Sequence, residues 1–561
     1  MKKLFNILLA VSFLLTMTTG IFAVENNDEA VYNKLEKSYI LNNDGSQQMH
    51  FSMELTLFTH PGISSNGETF IEYNPEFQTL KINTSYTKQK DGTIIKTPEN
   101  AFVEVLPRNA ANAPEFNNLK EMVIVHTGLE LGCTVYLDYT LTSKPGYLPE
   151  LDVFENIRQS WPVKDYTLSI AAPESKTIHF DAQHLNVQPS ESSKDGLKQY
   201  TWHLTNLPCS VLEYYTSYAE NNIPYITATT YSNEAAALST LYKQFDSPSD
   251  AQLQTLAETL TEGKNNDAAK IEALHHYVMS NLDNSALTLT ETGNKLRSAD
   301  KLITTAYGTE AEKVNFLTTL LKAVEINAEP AAVFNVKAND GCLGLKAIKQ
   351  LLVIAKADGK EYYLSPNSTR RMFAQNSPVF SIATGKEITL NVPDSKIAQK
   401  GTITFTADSA KLNLVSESSE VYIPYFSTPN NSIKRDMPLK FDNGFATFEI
   451  PISQWSLANS LYPTLGSVRT SDLQMPSVVN EQYSYTLQIP SEIQIVSAPN
   501  KNIKNSAGEL ISTVKNDGGS ATVTLSLILA KDKYTPAEYP ALRELLTEWG
   551  NVNARTIVLK K

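Results

Sequence analysis

The hydrophobic pattern changes period twice along this 561-residue chain, and that change constrains the fold more than any single motif. From about 30 to 222 apolar and polar residues alternate, from about 232 to 330 apolar residues recur every three or four positions, and from about 390 to 530 alternation returns. A period of two indicates strands with one buried face, and a period near 3.6 indicates amphipathic helices. Because the chain is too long for one hydrophobic core, we predict a multidomain protein that is mainly β, with an α+β domain in the middle.

The first predicted domain covers residues 24–222. Turn pairs such as Pro61-Gly62 and Asp91-Gly92 separate its alternating runs, so we expect an antiparallel β-domain resembling a sandwich. Cys133 has the same parity as the apolar residues Val135 and Leu137. It is therefore expected to be a small buried core residue.

The middle domain is predicted at residues 223–390. Ile271, Leu274 and Val278 mark one amphipathic helix, and a second begins where Thr309-Glu310-Ala311-Glu312 fits the capping box Thr-x-x-Glu. Two apolar runs flanking Asp358-Gly359 predict a β-hairpin. This order, helices followed by paired strands, is typical of an α+β domain.

The last predicted domain covers residues 391–561 and combines alternating strands with one terminal helix. Thr535-Pro536-Ala537-Glu538 fits a capping box with Pro at the first helical position, and Gly550 is expected to end the helix. The apolar face of this helix would carry Tyr539, Leu542, Leu546 and Trp549.

The N-terminus predicts export. Lys2 and Lys3 precede an apolar run from Leu4 to Leu15, and a small residue, Ala23, stands before a polar stretch. This order is typical of a secretory signal peptide at 1–23, cleaved after Ala23. The apolar run is shorter than the roughly 20 residues that a membrane-spanning helix needs. We therefore expect a soluble protein of the periplasm, the extracellular space or the cell surface, without a transmembrane segment after cleavage.

Charge and cysteine content exclude several classes of function. The formal net charge of −12 gives a surface that repels phosphate backbones, so a nucleic acid partner is not expected. Cys133, Cys209 and Cys342 are too few and too widely spaced for a disulfide framework or a zinc site. One disulfide between two of them stays open, and so does the oligomeric state.

Three segments of the middle domain resemble the transglutaminase-like superfamily. These are Ala306–Lys313 with the apolar helix that follows it, Gln350–Ala355, and Tyr363–Asn367. They correspond to the family's nucleophile helix, its histidine strand and its Asp-Pro-Thr element. The flanking segments, including Tyr539–Lys561, resemble exported proteins, mostly of Bacteroidota, in which an uncharacterised β-domain precedes the core and a β-domain with a terminal helix follows it. The resemblance implies a papain-type core, which in this superfamily uses a Cys-His-Asp triad.

The triad does not carry over onto this sequence. Glu310 stands where the nucleophilic Cys is expected, Gln350 or a neighbour where the His is expected, and Ser365 where the Asp is expected. A carboxylate cannot form the thioester, an amide cannot relay the proton, and a serine cannot stabilise an imidazolium. The resemblance therefore implies a degenerate triad at these three positions, with no catalytic residue and no cofactor or metal site.

The distribution of histidines supports the same conclusion without an alignment. All eight histidines lie at or before His276, so no histidine follows Cys342, the one cysteine downstream of Glu310. Cys342 is expected to be a buried or incidental cysteine, since an isolated thiol without a base stays mostly protonated at pH 7. His275 and His276 are adjacent, so their side chains diverge by about 100° on a helix and are read as boundary or surface residues. Glu310 and Glu312 likewise diverge, so we read them as capping residues and not as an acid/base pair.

Three functions stay open at this stage. The first is a non-catalytic envelope protein that binds a peptide, a glycan or another protein. The second is a hydrolase or acyltransferase of another mechanism, acting on peptides through carboxylates or Cys342. The third is a spacer that holds the two β-domains apart.

Overall fold

The computed structural model describes residues 28–210, 213–216, 223–334, 336–339, 341–371, 373, 377–391, 394–427 and 430–561. The predicted signal peptide at 1–23 lies outside the described residues. Within them, none of the helices has both the length and the apolar composition that crossing a membrane requires. The predicted fold class is confirmed, because β-rich segments flank a helix-containing α+β core.

The N-terminal segment is built on one large sheet, and most of its strands pair antiparallel. In spatial order the strands are Ser190–Lys194, Leu197–Leu207, Val163–Pro173, Ala30–Leu41, Gln47–Leu57, Thr134–Ser143, Gln78–Lys88 and Ile94–Lys96. The pair Ala30–Leu41 and Val163–Pro173 is parallel. The expectation of a wholly antiparallel domain is therefore wrong at this pair, because alternation reports which face is buried and not the direction of the neighbouring strand.

Two three-stranded sheets cover the large sheet, together with the short helix His60–Asn66. One contains His179–Gln183, Tyr225–Thr229 and Asp152–Asn156, and the other contains Glu68–Tyr73, Lys120–Val125 and Phe102–Val105. Their apolar side chains share one core with the large sheet, in which Trp202 and Tyr166 are fully buried. Cys133 is fully buried in this core, as predicted.

The middle segment packs helices against a four-stranded antiparallel sheet. Its helices are Glu234–Tyr242, Ala251–Thr261, Asp267–Asn281, Ala299–Thr305 and Glu310–Ala323. Its strands, in spatial order, are Lys360–Leu364, Ile348–Ala357, Asn327–Phe334 and Val379–Ser381, and a short parallel pair joins Asp283–Ser285 to Tyr307–Thr309. We call Glu310–Ala323 the core helix, because nearly all of its residues are buried.

The predicted hairpin of the middle segment is confirmed. Ala357 pairs directly with Lys360, so the loop consists of Asp358 and Gly359 alone. Both have positive φ angles, 52° and 75°, as a two-residue turn between twisted strands requires.

The C-terminal segment contains a seven-stranded sheet and two smaller ones. The strands of the large sheet are Asn430–Pro438, Ser409–Ser418, Ile397–Phe405, Asn480–Gln488, Ser520–Leu529, Gly508–Asn516 and Asn500–Asn505. The smaller sheets contain Phe445–Glu449, Thr556–Lys560 and Gln494–Ser497, and Leu473–Gln474 with Lys533–Tyr534. The short helix Leu457–Leu461 and the terminal helix Tyr539–Gly550 complete the segment. The predicted apolar face of the terminal helix is buried.

The terminal helix begins later than the sequence pattern predicts. Thr535 does not cap it, because the Thr535 hydroxyl and amide both donate to the Glu538 carboxylate, at 3.0 Å each. The helix begins at Tyr539, and Pro540 occupies its first turn. The capping-box interpretation was therefore wrong here, although the helix and its end at Gly550 are as expected.

The domain boundaries at 222/223 and 390/391 stay predictions. The strand Tyr225–Thr229 pairs on both sides with strands of the N-terminal segment. Tyr225–Thr229, just after the predicted boundary at 222/223, is therefore the central strand of a three-stranded sheet of the N-terminal segment.

Candidate functional site

The core helix begins at the capping box that its sequence predicts. The Glu312 amide donates to the Thr309 hydroxyl at 3.3 Å, and the Thr309 amide donates to the Glu312 carboxylate at 2.9 Å. Both members of the box are therefore in place. These bonds satisfy two of the amides that a helix start leaves unpaired.

Glu312 is also the partner of a buried guanidinium. Its side chain is fully buried and accepts from Arg297 three times, from Nε at 3.0 Å, from an NH2 group at 2.9 Å and from the backbone amide at 2.9 Å. Arg297 also bonds to Glu115 of the N-terminal segment. Glu312 thus has a structural role, and it clamps the helix start to its surroundings.

Glu310, one position into the helix, projects in another direction. One of its carboxylate oxygens accepts from the Leu351 amide at 3.1 Å. The side chain lines a cavity of about 420 Å³, which we call the helix cavity. Burial raises the pKa of Glu310 to about 7, against the opposing effects of the Leu351 hydrogen bond and the Lys313 charge.

Lys313, one turn further along the helix, is a buried ammonium. Its Nζ donates to the Leu282 carbonyl at 3.0 Å and to the Asn367 Oδ1 at 2.9 Å. Burial lowers the pKa of Lys313 to about 8, although the charges of Asp283 and Glu310 oppose the change. Lys313 therefore fixes Asn367, which is itself part of the helix-cavity wall.

Gln350 lies on the opposite face of its strand from the helix cavity. It pairs with Val333, and both share a face with Leu352. Between Val333 and Phe334 the register shifts, so Lys349 is the unmatched residue of a β-bulge. Lys349 and Leu351 both line the helix cavity, and the structure therefore places a neighbour of Gln350 in the wall beside Glu310.

Ser365 is buried and lies behind the cavity wall. Its hydroxyl accepts from the Asn367 amide at 3.2 Å, and its carbonyl oxygen accepts from His275 Nε2 at 2.8 Å. Of the three predicted triad positions, Glu310 lines the helix cavity, whereas Gln350 and Ser365 are not among its described lining residues.

The surface interpretation of His275 was wrong, whereas His276 is exposed as expected. The His275 ring is buried, 4% exposed, and lies edge-on to Tyr425. Burial lowers the pKa of His275, so the neutral ring with its proton on Nε2 is favoured. No sequence pattern indicated this contact, since the partner residue Ser365 lies 90 positions away from His275.

No described residue lining the helix cavity is a cysteine or a histidine. Cys133 belongs to the N-terminal core, Cys342 is 6% exposed and Cys209 is half-buried. In the part of the chain that the structure describes, no group of three or more His, Cys, Asp or Glu side chains is arranged to hold a metal ion. The cavity therefore offers one carboxyl, lysine ammoniums and amide groups, which can bind and orient a polar ligand.

A pair of carboxyl groups lies in a neighbouring cavity of about 100 Å³. The Asn109 side-chain amide donates to Glu72 at 3.4 Å and also to Glu291. A hydrogen bond with Glu291, followed by burial, raises the pKa of Glu72 to about 7. Thr290 lines both this cavity and the helix cavity. Sequence reasoning missed this pair, because Glu72 and Glu291 lie on segments far apart in the chain.

Three family models match the sequence in chain order. A domain of unknown function with a solved structure (DUF3857) matches residues 43–210, the transglutaminase-like superfamily core matches 254–363, and a further domain of unknown function with a solved structure (DUF3858) matches 447–559. Among curated proteins, none matches the chain.

One solved structure resembles nearly the whole chain. It is a protein from Parabacteroides distasonis named a "putative protease", with 35% sequence identity and a TM-score of 0.82 over 95% of this chain and 99% of its own. A protein from Cytophaga hutchinsonii named a "putative cysteine protease" has 13% identity over 52% of this chain and 93% of its own, with a TM-score of 0.21. An M1 zinc metallopeptidase from Deinococcus radiodurans has 8% identity over 36% of this chain and 42% of its own, with a TM-score of 0.19. The two low TM-scores carry no structural argument.

Proposed function

Because this chain belongs to the family in which a DUF3857 domain, a transglutaminase-like core and a DUF3858 domain follow one another, we propose that it is a non-catalytic binding protein of the cell envelope. Its partner is a peptide segment, free or within another protein, and the binding site is the helix cavity. Of the partners that the sequence left open, a peptide is favoured over a glycan because the nearly full-length relative is named as a protease.

The observation that carries the proposal is Glu310 at the start of the core helix. A papain-type core needs a thiol at this position to attack the peptide carbonyl, and a carboxylate held by the Leu351 amide cannot form a thioester. The buried Cys342 and the absence of cysteine and histidine from the described cavity lining support the same conclusion.

The cavity wall suits an extended peptide. Residues 284–290 form one wall, in which the apolar Leu287 and Leu289 alternate with the polar Thr288 and Thr290. Such a wall can pack against side chains while its hydroxyls and amides bond to a peptide backbone.

A second candidate is a hydrolase or acyltransferase that uses carboxyl groups. It is favoured by one observation: Glu310 and Glu72 both have a pKa raised to about 7, near the value that suits general acid–base catalysis. Both carboxyls are already bonded to other protein groups, Glu310 to the Leu351 amide and Glu72 to Asn109. We therefore rank this candidate below binding.

The experiment combines binding and turnover in one sample. Fluorescein-labelled decapeptide pools are screened by fluorescence anisotropy against the purified chain, and each bound pool is then incubated overnight and weighed by mass spectrometry. We expect saturable binding and intact peptides. Cleaved or amine-modified peptides would contradict the non-catalytic proposal, and loss of that turnover in Glu310→Gln or Glu72→Gln would support the second candidate.

A cavity-filling variant locates the binding site. Ala286 is exposed and lines the helix cavity, so Ala286→Trp should fill the cavity and abolish binding without disturbing the core. Ala251, exposed at the start of another helix, gives the control variant Ala251→Trp. Unchanged binding by Ala286→Trp would favour the spacer hypothesis for this domain.

Export is proposed on the sequence pattern at 1–23. The test is N-terminal sequencing of the protein from the periplasmic and the extracellular fractions. A mature chain that begins at residue 24 is expected, and an intact N-terminus in the cytoplasm would contradict it.

A further inference from the structure

The helix cavity continues onto the N-terminal β-segment. A second cavity, of about 290 Å³, lies on the large N-terminal sheet, and we call it the sheet cavity. Thr290 and Lys346 line both cavities. A ligand in the helix cavity can therefore extend past these two residues into the sheet cavity.

The floor of the sheet cavity is apolar. Tyr39, Met49 and Leu141 lie side by side on three neighbouring strands and all line it. Phe70 stands at the wall with 55% of its surface exposed. An exposed aromatic ring beside an apolar floor suits a bulky apolar side chain of a ligand.

Two lysines line the cavities: Lys346 lies where the two cavities meet, and Lys349 lies in the helix cavity. The Lys346 ammonium lies over the Tyr39 ring, 5.5 Å from its centroid, and Lys349 is exposed in the helix cavity. In the described chain, no ion pair joins either lysine to a carboxylate. Ammoniums that form no salt bridge in the described chain are complementary to an anionic ligand, although the protein as a whole is acidic.

The carboxyl groups of the two cavities oppose this charge only in part. Asp152 is buried and accepts from the Lys346 backbone amide at 2.9 Å, and burial raises its pKa, although the Lys346 charge opposes the change. Glu310 and Glu72 have pKa values raised to about 7. The two glutamates therefore oppose the lysines less than ordinary carboxylates would, although burial also lowers the pKa of Lys349.

We propose that the helix cavity and the sheet cavity form one groove that selects an acidic peptide with a neighbouring bulky apolar side chain. The acidic side chain binds at Lys346 and Lys349, and the apolar side chain enters the sheet cavity beside Phe70. This selectivity rests on the proposed peptide-binding function and adds the class of peptide.

The test compares four pools of fluorescein-labelled decapeptides by anisotropy. The first pool contains one Glu and one Phe, in both orders and one to three residues apart, in a Gly/Ala/Ser background. The others replace Glu with Gln, Glu with Lys, or Phe with Ala. We expect each of these replacements to weaken binding by about tenfold or more, because each removes a charge-assisted bond or a buried aromatic side chain.

Matched variants assign the two preferences to the two cavities. The double variant Lys346→Ala with Lys349→Ala should bind the Glu pool and the Gln pool with equal affinity. The variant Phe70→Ala should bind the Phe pool and the Ala pool with equal affinity. The controls are Lys264→Ala and Phe445→Ala, which change an exposed lysine and an exposed aromatic outside both cavities.

The outcomes separate this inference from the proposed function. Equal binding of all four pools by the unchanged protein would overturn the selectivity and leave peptide binding intact. Preferences that survive the lysine and Phe70 variants would overturn the assignment to this groove. Failure of every pool to bind would overturn both the selectivity and the proposed function.

Discussion

Replacing Glu310 with Gln should stabilise the core helix at alkaline pH and leave it unchanged at acidic pH. The Gln carbonyl can still accept from the Leu351 amide, which bonds to Glu310 at 3.1 Å. The variant therefore resembles the protonated carboxyl and never acquires a charge. At pH 4 the carboxyl of the unchanged protein is protonated in the folded state, where its pKa is raised to about 7, and largely protonated in the unfolded chain, where the pKa is 4.5.

The raised pKa of Glu310 determines the sign and the magnitude of the change in the free energy of unfolding. A group whose pKa is raised on folding contributes stability below its unfolded pKa, 4.5 for Glu, and that stability is lost as the pH rises through about 7. The full shift corresponds to about 3.5 kcal/mol, at about 1.4 kcal/mol for each unit of pKa. Because the Glu310 side chain keeps some exposure to solvent, we expect a difference of about 2 kcal/mol at pH 8.

The assay is hydrogen exchange of the core helix by mass spectrometry at pH 4, 6.5 and 8. None of the four tryptophans, at 161, 202, 455 and 549, lies in the core helix, so the exchange is read from peptides of the helix itself. We expect Glu310→Gln to match the unchanged protein at pH 4 and to exchange about 30-fold more slowly at pH 8. The control is Glu262→Gln, an exposed position. Faster exchange of Glu310→Gln at pH 8 would refute the reasoning, because it would mean that the ionised carboxylate stabilises the helix.

Three further predictions concern stability. Glu312→Gln should lower the free energy of unfolding by about 3–5 kcal/mol, because it leaves the Arg297 guanidinium without its buried charged partner. Urea denaturation measures this loss, and a loss below 1 kcal/mol would contradict the structural role of the Glu312–Arg297 pair. The pKa of His275, measured by NMR, should lie below its ordinary value of 6.5, and stability should fall as the pH drops below about 6.5, because a pKa lowered on folding favours the neutral ring. A pKa at or above 6.5 would contradict its burial. Gly359→Ala should cost about 1 kcal/mol because φ is 75°, whereas Gly519→Ala, in open space without a positive φ, should cost less.

Local chemistry made part of the fold predictable from the sequence. The capping box at Thr309 and the hairpin at Asp358-Gly359 depend on residues within four positions of each other, so the sequence contains the whole interaction. The terminal capping box failed because Glu538 binds Thr535 equally well in a turn outside the helix.

The candidate site depends more on contacts between distant segments. A bulge at Lys349 changes which residues of the strand face the helix cavity. A shift of one residue in the pairing register moves every later side chain of the strand to the opposite face of the sheet. The burial of His275 depends on the Ser365 carbonyl. Neither feature has a sequence pattern of its own. The assignment of Gln350 to the position of the family's histidine therefore stays a prediction. The places of Lys349 and Asn367 in the cavity wall were found only from the structure.

The rate at which each cysteine of the native protein is alkylated tests the central claim most directly, namely that the core has no activated thiolate. Iodoacetamide is added between pH 5 and 9, and Cys133, Cys209 and Cys342 are followed separately by peptide mass spectrometry, with free cysteine as the reference. We expect that none of them reacts faster than free cysteine at pH 7, and that the buried Cys133, whose pKa burial raises, reacts more slowly. A cysteine that reacts a hundredfold faster than the reference at pH 6, and loses this advantage when a histidine is replaced, would contradict it.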